Sequence, residues 1–244
     1  MRAFITIEYN GTAYLGWQKN GEQKTLCYEI ERAFAQAIGQ EIKIVASGRT
    51  DAGVHAIKQS AHLDLQGKDV SLKNLLHNVN KILPSDIRIT SIKEVSERFH
   101  ARYNVKSKTY LYKCYTSPIS SPLREGFYCH YPSVLNIEKM KECASLFIGE
   151  HNFKAFCLSG SDAENFIRKV ISIDIMRKKD EVYFYVKGKG FLYSMVRLLV
   201  GTILAVGEGK LTVEKVKIAL ESGDKGLIGQ KVAACGLYLY DVEY

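Results

Sequence analysis

The predicted fold of the first half rests on one stretch of the chain, Ile42-Lys43-Ile44-Val45-Ala46-Ser47-Gly48-Arg49-Thr50-Asp51-Ala52-Gly53-Val54-His55-Ala56. Its β-branched beginning predicts a strand over residues 42–47, and the run after it predicts a second strand over residues 57–65. Between the two strands, a pair of glycines brackets the carboxylate of Asp51. Glycine allows a tight turn and lets a substrate come close to the backbone. The stretch is therefore equally consistent with a structural turn and with a catalytic loop.

On each side of this stretch, the hydrophobic pattern predicts one helix and one strand. Residues 2–9 alternate as a half-buried strand does. The apolar residues of 25–39 recur at every fourth position, as in an amphipathic helix that ends at a glycine. A helix over 71–83, with Ser71 as its N-cap, and a strand over 87–95 complete the half. The order β-α-β-β-α-β is that of a ferredoxin-like fold.

The same order is predicted for the second half, with an extra helix and an extra edge strand. The predicted strands are 108–116, 171–175, 182–186 and 236–244, the helices are 136–149, 191–206 and 212–222, and the edge strand lies near 127–131. Lys179-Asp180 is predicted to be the turn of a hairpin.

The two predicted halves, residues 1–100 and 101–244, follow each other with almost no flexible linker. We therefore predict an α+β protein in which two ferredoxin-like halves form one continuous, mostly antiparallel sheet, with helices on one face and a central cleft, which the charge pattern described below assigns to RNA binding. The alternative is a pair of independently folded domains.

Composition narrows the functional classes. The chain has 244 residues, of which 46% are hydrophobic and 25% charged, as in ordinary globular proteins, and its net charge is +8. An excess of cations suggests a polyanionic partner, nucleic acid first among them. No window approaches the roughly 18 uncharged apolar residues of a membrane span, and the alternating N-terminus does not resemble a signal peptide. We expect no membrane association and a cytoplasmic location.

The six cysteines and six histidines show no spacing that is typical of a metal site. A cytosolic chain of this size does not need disulfides for stability. We predict reduced, mostly buried cysteines and no bound metal.

A basic segment lies at the junction of the two halves. Cationic and imidazole side chains alternate there with Phe99 and Tyr103, and the residues predicted to bind RNA are His100, Arg102 and Lys108. Cations contact phosphates and aromatic rings stack on bases, so this pattern suits RNA. A solvated strand rim is the alternative.

Asp51 is the leading catalytic candidate, and Arg49 lies on the same side of an extended segment. Glycosidases normally use two carboxylates, whereas no second acid lies near Asp51 in the sequence. A single carboxylate suits a reaction in which the leaving group detaches from a glycosidic carbon and then bonds to the same carbon again, without attack by water.

Two kinds of residue in the second half could act together with Asp51: a buried arginine and a strand tyrosine. Arg197 lies within an apolar predicted helix and needs a partner there, and a carboxylate beside it would stay ionised. The alternatives for Arg197 are a structural ion pair or a helix face that reaches solvent. Tyr110 and Tyr112 share one face of a strand, so either ring can stack on an extruded base or pack in the core.

Taken together, these residues resemble the tRNA pseudouridine synthase A family over nearly the whole chain. The matching segments are Glu8-Tyr9-Asn10-Gly11-Thr12, Gly16-Trp17-Gln18, residues 47–56, Phe99-His100-Ala101-Arg102, Lys108-Thr109-Tyr110, Gly149-Glu150-His151-Asn152-Phe153, residues 190–197 and Gly236-Leu237-Tyr238-Leu239. The resemblance implies two ferredoxin-like halves in one sheet, an active cleft between them, and a homodimer. It implies isomerisation of uridine to pseudouridine at positions 38, 39 and 40 of the tRNA anticodon stem-loop, without cofactor or metal.

The resemblance also implies roles for individual residues. Asp51 matches the catalytic aspartate of the family, and Tyr110 matches its base-stacking tyrosine. Arg197 matches the arginine that pairs with the aspartate, and Arg49 matches the arginine that is tied to base extrusion.

This chain departs from the family pattern at a few positions outside that set. The family usually has a proline-containing segment where this chain has Ala233-Ala234-Cys235, and Asn10 and Asn152 replace commoner aspartates. The first departure bears on the range of RNA targets. Three alternatives stay open: a paralogue that acts on another RNA site, a non-catalytic RNA-binding or RNA-folding module, and a base-excising glycosidase.

Overall fold

The computed structural model describes residues 1–18, 24–66, 70–160 and 163–244, and it has the predicted α+β composition. The chain divides into two compact units, of which the first contains residues 1–106 and 238–244 and the second contains residues 107–237. The sequence placed the division after residue 100 and assigned the last strand to the second half. Within the described ranges, every helix is too short or too polar to span a lipid bilayer.

The first unit has the predicted order β-α-β-β-α-β and also contains most of the last strand. Its elements are β1 (Arg2–Tyr9), α1 (Leu26–Ile38), β2 (Ile44–Ala46), β3 (His55–Asp64), α2 (Leu72–Ile82) and β4 (Ile87–Val95). The strand order is β4-β1-β3, and these neighbours are antiparallel. Strand β2 pairs antiparallel with the end of β3, and Tyr238 pairs in parallel with His55 at its beginning.

Local sequence explains the elements of the first unit. The alternation of β1 buries Ala3, Ile5 and Ile7 completely on one side of the strand. Helix α1 ends, as predicted, at Gly39, whose φ of 71° lies in the left-handed region that glycine favours. Ser71 caps α2 by accepting a hydrogen bond from a backbone N–H of the first turn, which confirms the predicted N-cap.

In its described residues, the second unit contains a set of paired strands and three α-helices. Its elements are β5 (Ser107–Tyr115), β6 (Cys129–His130), α3 (Ile137–Ser145), β7 (Gly149–Asn152), β8 (Ile167–Lys178), β9 (Glu181–Gly188), α4 (Met195–Gly207) and α5 (Val213–Ser222), and β10 (Leu237–Glu243) begins at its end. The antiparallel strands lie in the order β5-β9-β8-β7, and β6 pairs in parallel with β5. The predicted hairpin is confirmed, because Lys178 pairs with Glu181 across the turn at Lys179-Asp180.

Helix α4 begins four residues later than the sequence predicted. Residues 191–194 form a turn, and the helix starts at Met195. Ser194 is buried and has a φ of 55°, a left-handed conformation that non-glycine residues rarely adopt. The stretch is mostly apolar, so its hydrophobicity predicts burial without showing where the backbone turns.

Other boundaries differ because short polar pairings are hard to see in a sequence. Helix α3 ends at Ser145, and Gly149, with a φ of 112°, instead begins the unpredicted strand β7. The predicted edge strand near 127–131 is the two-residue β6, and β2 is shorter than the predicted 42–47. The ferredoxin-like description of each half, and one continuous sheet with helices on one face, stay predictions.

Helix α4 lies against residues 229–232 with its backbone in direct contact. A Cβ atom on Gly201 would overlap the carbonyl oxygen of Gln230, and one on Gly229 would lie 2.5 Å from the carbonyl oxygen of Gly201. The N–H of Gly229 donates to the hydroxyl of Thr202 at 2.9 Å. Only glycine fits at this contact, since any side chain would push the two backbones apart.

We expect Gly201→Ala to destabilise the protein by about 1–3 kcal/mol, because an added methyl group must displace the carbonyl of Gln230. Thermal and urea unfolding measure the change. The matched control is Gly190→Ala, since a Cβ there meets no atom within 4 Å. Equal stability of the two variants would contradict this account of the contact.

Candidate functional site

Asp51 lies in the loop between β2 and β3, here called the Asp51 loop (residues 47–54). The beginning of this loop is fixed by Ser47, which is fully buried. The backbone N–H of Ser47 donates to the carbonyl of Ser60 at 2.7 Å, and its hydroxyl donates to the side-chain oxygen of Gln59 at 2.8 Å. The amide of Gln59 donates in turn to the carbonyl of Gly48 at 3.0 Å. One buried glutamine of β3 therefore holds the first two residues of the loop.

Residues 11–17 hold the rest of the Asp51 loop by backbone contact. The N–H of Trp17 donates to the carbonyl of Thr50 at 3.0 Å, and the N–H of Gly53 donates to the carbonyl of Tyr14 at 3.3 Å. The approach is so close that a Cβ on Gly16, whose φ is 90°, would lie 2.7 Å from the carbonyl oxygen of Thr50. A Cβ on Gly11 would overlap the backbone of the same loop. The two segments can lie together only because both positions are glycine.

The residues beside Asp51 are also fixed. The hydroxyls of Tyr9 and Thr50 are 2.8 Å apart in a buried hydrogen bond, and burial raises the pKa of Tyr9. The N–H of Val54 donates to the carbonyl of Asp51 at 3.2 Å, closing a tight turn in which Gly53 has a φ of 76°. Asp51 itself is half-buried, and Arg49 is exposed. The loop therefore presents a carboxylate of defined position, which suits a nucleophile or a general base.

The two candidate tyrosines of β5, Tyr110 and Tyr112, have different environments in the second unit. The ring of Tyr112 is fully buried, its hydroxyl donates to the carbonyl of Ala233 at 2.9 Å, and burial raises its pKa. Tyr112 is therefore a core residue, and the expectation that either tyrosine can stack on a base is corrected. The ring of Tyr110 is 8% exposed and meets Phe191 edge to face, with 5.2 Å between the centroids. Lys108, at the start of the same strand, is half-buried.

Arg197 lies in the first turn of α4 and is half-buried. Its Nε donates to the carbonyl oxygen of Val232 at 2.8 Å. This bond depends on the contact between α4 and residues 229–232, because the glycines there bring the carbonyl within reach. The direction of the Arg197 side chain is thus set by backbone packing, and the loop backbone that carries Asp51 is held by backbone packing as well.

The structure places the candidate residues in two groups. Asp51, Arg49, His100 and Arg102 belong to the first unit, and Tyr110, Arg197 and Lys108 belong to the second. Within the first unit, Asp51 and Arg49 share one loop, whereas His100 and Arg102 lie in the loop of residues 97–104. Among the described residues, no group of acidic, histidine or cysteine side chains is arranged to hold a metal ion.

The 97–104 loop is tied to the sheet by Arg2. The guanidinium of Arg2 bonds both carboxylate oxygens of Asp64, at 2.7 and 2.8 Å, and this pairing lowers the pKa of Asp64. Its remaining nitrogen donates to the carbonyls of Glu97 and Phe99 at 2.7 and 2.8 Å. A single arginine therefore joins β1, β3 and the backbone of the loop.

His62 of β3 holds the same loop two residues further on, at Ala101. Its Nδ1 accepts a hydrogen bond from the N–H of Ala101 at 3.1 Å, and its ring lies 4.8 Å from that of His100. Burial, with further contributions from Arg2 and His100, lowers the pKa of His62, and Asp64 opposes the shift. The neutral ring is the form that accepts this bond, because protonation would place a hydrogen on Nδ1.

Sequence reasoning did not select Gln59, Thr50 or Arg2. Gln59 had a usable signal, because it lies on the apolar side of a predicted strand, two residues before Ala61. A polar residue at such a position needs a hydrogen-bond partner inside the protein. Arg2 gave no signal, since an arginine near a chain end is usually solvated.

Comparison with known proteins identifies relatives along nearly the whole chain. The family described as tRNA pseudouridine synthase matches residues 5–104 and 143–244. The chain is 40% identical over 241 residues to a tRNA pseudouridine synthase A 2 of Bacillus cereus, covering 98% of both chains. It is 39% identical to tRNA pseudouridine synthase A of Caldicellulosiruptor bescii, again covering 98% of both. For the protein of that name from Bacillus pumilus the identity is 37%, over 100% of this chain and 99% of the other.

Among solved structures, a Cbf5-Nop10-Gar1 complex is similar over 97% of this chain and 48% of its own, with a TM-score of 0.39 and 14% identity. A similarity of this size carries no argument.

We expect His62 to make folding stability fall in mild acid. Because its pKa is lowered in the folded state, the unfolded chain binds the proton more readily. Its stabilisation is complete above the ordinary pKa of about 6.5 and is lost as the pH falls below that value. Urea unfolding at pH 7.5 and pH 5.5 should show a larger loss for the wild type than for His62→Gln. A loss of equal size in both proteins would refute the assignment.

Proposed function

The chain belongs to the tRNA pseudouridine synthase family, and we propose that it converts uridine to pseudouridine at positions 38, 39 and 40 of the tRNA anticodon stem-loop. The activity itself, isomerisation on tRNA, is that of the family. The choice of the anticodon stem-loop is supported by the resemblance of the chain to the A family over all its main motifs. The observation that carries the site assignment is the geometry of Asp51, a half-buried carboxylate on a loop that is held by hydrogen bonds from both sides.

The reaction is an isomerisation with a defined balance of bonds. The bond between N1 of uracil and C1′ of ribose breaks, and a bond between C5 and C1′ forms. C5 loses its proton, and N1 gains one. Water must be kept from C1′ throughout, since its attack would leave an abasic site. Asp51 can act in three ways: by attacking C1′, by adding to C6 of the base, or by removing the proton from C2′. All three need an ionised carboxylate of fixed position.

We assign Arg197 and Tyr110 to the stabilisation of this reaction. Arg197 would pair with Asp51 and keep it ionised. The bond from its Nε to Val232 leaves the guanidinium with a fixed direction, which a catalytic ion pair requires. Tyr110 would stack on the detached uracil while it turns, with Phe191 supporting the ring from its edge.

Arg49 and the basic residues are assigned to RNA handling. Arg49 is exposed beside Asp51, so its side chain can take the place of an extruded uridine. His100, Arg102 and Lys108 would contact the RNA backbone, and the net charge of +8 favours its approach. We also propose that the enzyme is a cytoplasmic homodimer, of which the dimeric state rests on the resemblance alone.

Mapping of pseudouridine in tRNA tests the choice of substrate. We expect purified protein to modify tRNA transcripts in which uridine occurs at only one of positions 38, 39 and 40. Modification at another tRNA position, or in ribosomal RNA alone, would support a paralogue with a different target. Tight binding without any pseudouridine would support a non-catalytic RNA-binding module, and free uracil would support a glycosidase.

We expect Asp51→Asn to lower pseudouridine formation by about 10⁴-fold or more, because the amide can serve neither as nucleophile nor as base. Release of the C5 hydrogen from labelled uridine measures the rate under single-turnover conditions. The matched control is Asp174→Asn on the exposed side of β8, which should keep full activity. Similar rates for the two variants would remove Asp51 from its proposed role.

We expect Arg197→Lys to lower the single-turnover rate by roughly 10²-fold while RNA affinity changes little. Lysine keeps the positive charge but lacks the Nε that bonds Val232, so the cation loses its fixed direction. Arg177→Lys, on the exposed part of β8, is the control. A loss of affinity without a loss of rate would show that Arg197 binds RNA and does not act on the carboxylate.

A further inference from the structure

Tyr103 presents a large aromatic ring to solvent in the 97–104 loop. The residue is 76% exposed, an unusual position for a tyrosine. One face of the ring is covered by His100, at 4.2 Å between centroids and 26° between planes. The ring of His100 is backed in turn by His62. Tyr103 is therefore the outermost of a row of three rings, in which it stacks on His100 and His100 meets the edge of His62 on β3.

The loop that carries this ring is fixed before any ligand binds. The Nδ1 atom of His100 accepts hydrogen bonds from the N–H groups of Arg102 and Tyr103, at 3.2 and 3.3 Å. The N–H of His100 donates to the side-chain oxygen of Asn104 at 2.6 Å, and the N–H of Asn104 donates to the carbonyl of His100 at 3.0 Å. The hydroxyl of Tyr244 donates to the carbonyl of Ala101 at 2.8 Å. A ring held in this way loses little conformational entropy when a ligand covers it.

The charge around Tyr103 favours a polyanion. Residues 96–106 contain the three cations Arg98, Arg102 and Lys106 but only one acid, Glu97. The guanidinium carbon of Arg102 lies 5.9 Å from the centroid of the Tyr103 ring. An exposed ring beside cations suits a nucleobase with its phosphate, whereas an apolar protein partner would leave these charges without counter-ions.

The Tyr103 ring lies too far along β3 from the Asp51 loop to contact the nucleotide that reacts there. The Asp51 loop leads into β3 at His55. The row of rings begins at His62, seven residues further along the strand. At ~3.3 Å per residue this is roughly 23 Å, which is more than one nucleotide can span.

We propose that Tyr103 is a second base-stacking site, which takes an unpaired base of the tRNA other than the uridine that reacts at Asp51, while Arg102 contacts the adjoining phosphate. This inference rests on the proposed function in that the bound RNA is the substrate. Tyr103 and Asp51 belong to the same compact unit, so engaging the base and the uridine at the same time would fix the register of the RNA on the enzyme.

The first test is affinity for the anticodon stem-loop. We expect Tyr103→Ala to weaken binding by about 5- to 150-fold, the usual effect of losing one stacked base, and Tyr103→Phe to retain wild-type affinity. Tyr103→Leu keeps an apolar side chain without an aromatic face and should bind as weakly as the alanine variant. Tyr28→Ala, at a partly exposed tyrosine of α1, is the control that should bind normally.

The second test locates the stacked base. Stem-loops with 2-aminopurine at one loop position at a time should show fluorescence quenching at one position on binding the wild type and Tyr103→Phe, but not Tyr103→Leu. Arg102→Gln should reduce the dependence of log affinity on log salt by about 0.7 to 1, as expected for one lost phosphate contact.

These outcomes separate the inference from the proposed function. If the wild type forms no pseudouridine while Tyr103→Ala still weakens RNA binding and abolishes the quenching, the function is wrong and the stacking site stands. If pseudouridine forms normally and a folded Tyr103→Ala binds RNA as the wild type does, the stacking site is overturned and the ring serves another partner. Thermal unfolding of each variant checks that the fold is intact.

Discussion

The first unit depends on the contact between the backbone of residues 11–17 and that of the Asp51 loop. The glycines of the first segment and the carbonyls of the second are so close that no side chain fits between them. Hydrogen bonds between the segments are consequently formed by backbone groups, which cannot change rotamer. Loops are normally the mobile part of a protein, whereas catalysis requires an acid placed within a fraction of an ångström. The contact resolves this conflict by making the loop part of the packed interior.

In the second unit, a close backbone contact at glycines likewise positions a charged residue, Arg197. Gly201 and Gly229 bring the backbone of residues 229–232 against α4, and the carbonyl of Val232 then accepts from Arg197. The left-handed Ser194 starts the helix one turn before this residue. Ser194 is itself buried and lies between the buried residues Leu192 and Met195, which hold it in this uncommon conformation. In each unit, the backbone around a charged side chain is therefore positioned by close contacts at glycines.

The sequence alone predicted the elements that follow local rules, and it missed the features that depend on contacts particular to this fold. The alternation of β1, the cap at Ser71 and the hairpin around Lys179 follow local rules that repeat in many proteins, and all three are confirmed. The start of α4 was missed because an apolar run has no period that marks a turn. Tyr110 and Tyr112 were indistinguishable because they share a strand face. What separates them is the carbonyl of Ala233, which lies more than a hundred residues away and ties only Tyr112 into the core.

The hydrogen bonds that hold the 97–104 loop are relevant to the energy that uridine isomerisation in a folded RNA requires. Turning a uridine out of a folded stem-loop costs stacking and pairing energy, and an isomerisation releases nothing that offsets it in advance. The enzyme must therefore draw on binding contacts at parts of the RNA that do not react. Contacts of this kind are useful only if the protein groups that make them are ordered beforehand, since ordering them would consume the same free energy. The bonds from Arg2 to the carbonyls of Glu97 and Phe99, and from Ala101 to His62, meet that requirement. They join the basic loop to β3, the strand whose Gln59 also holds the beginning of the Asp51 loop. Under the proposed function, binding energy at one end of the strand would then be available to position the uridine at the other.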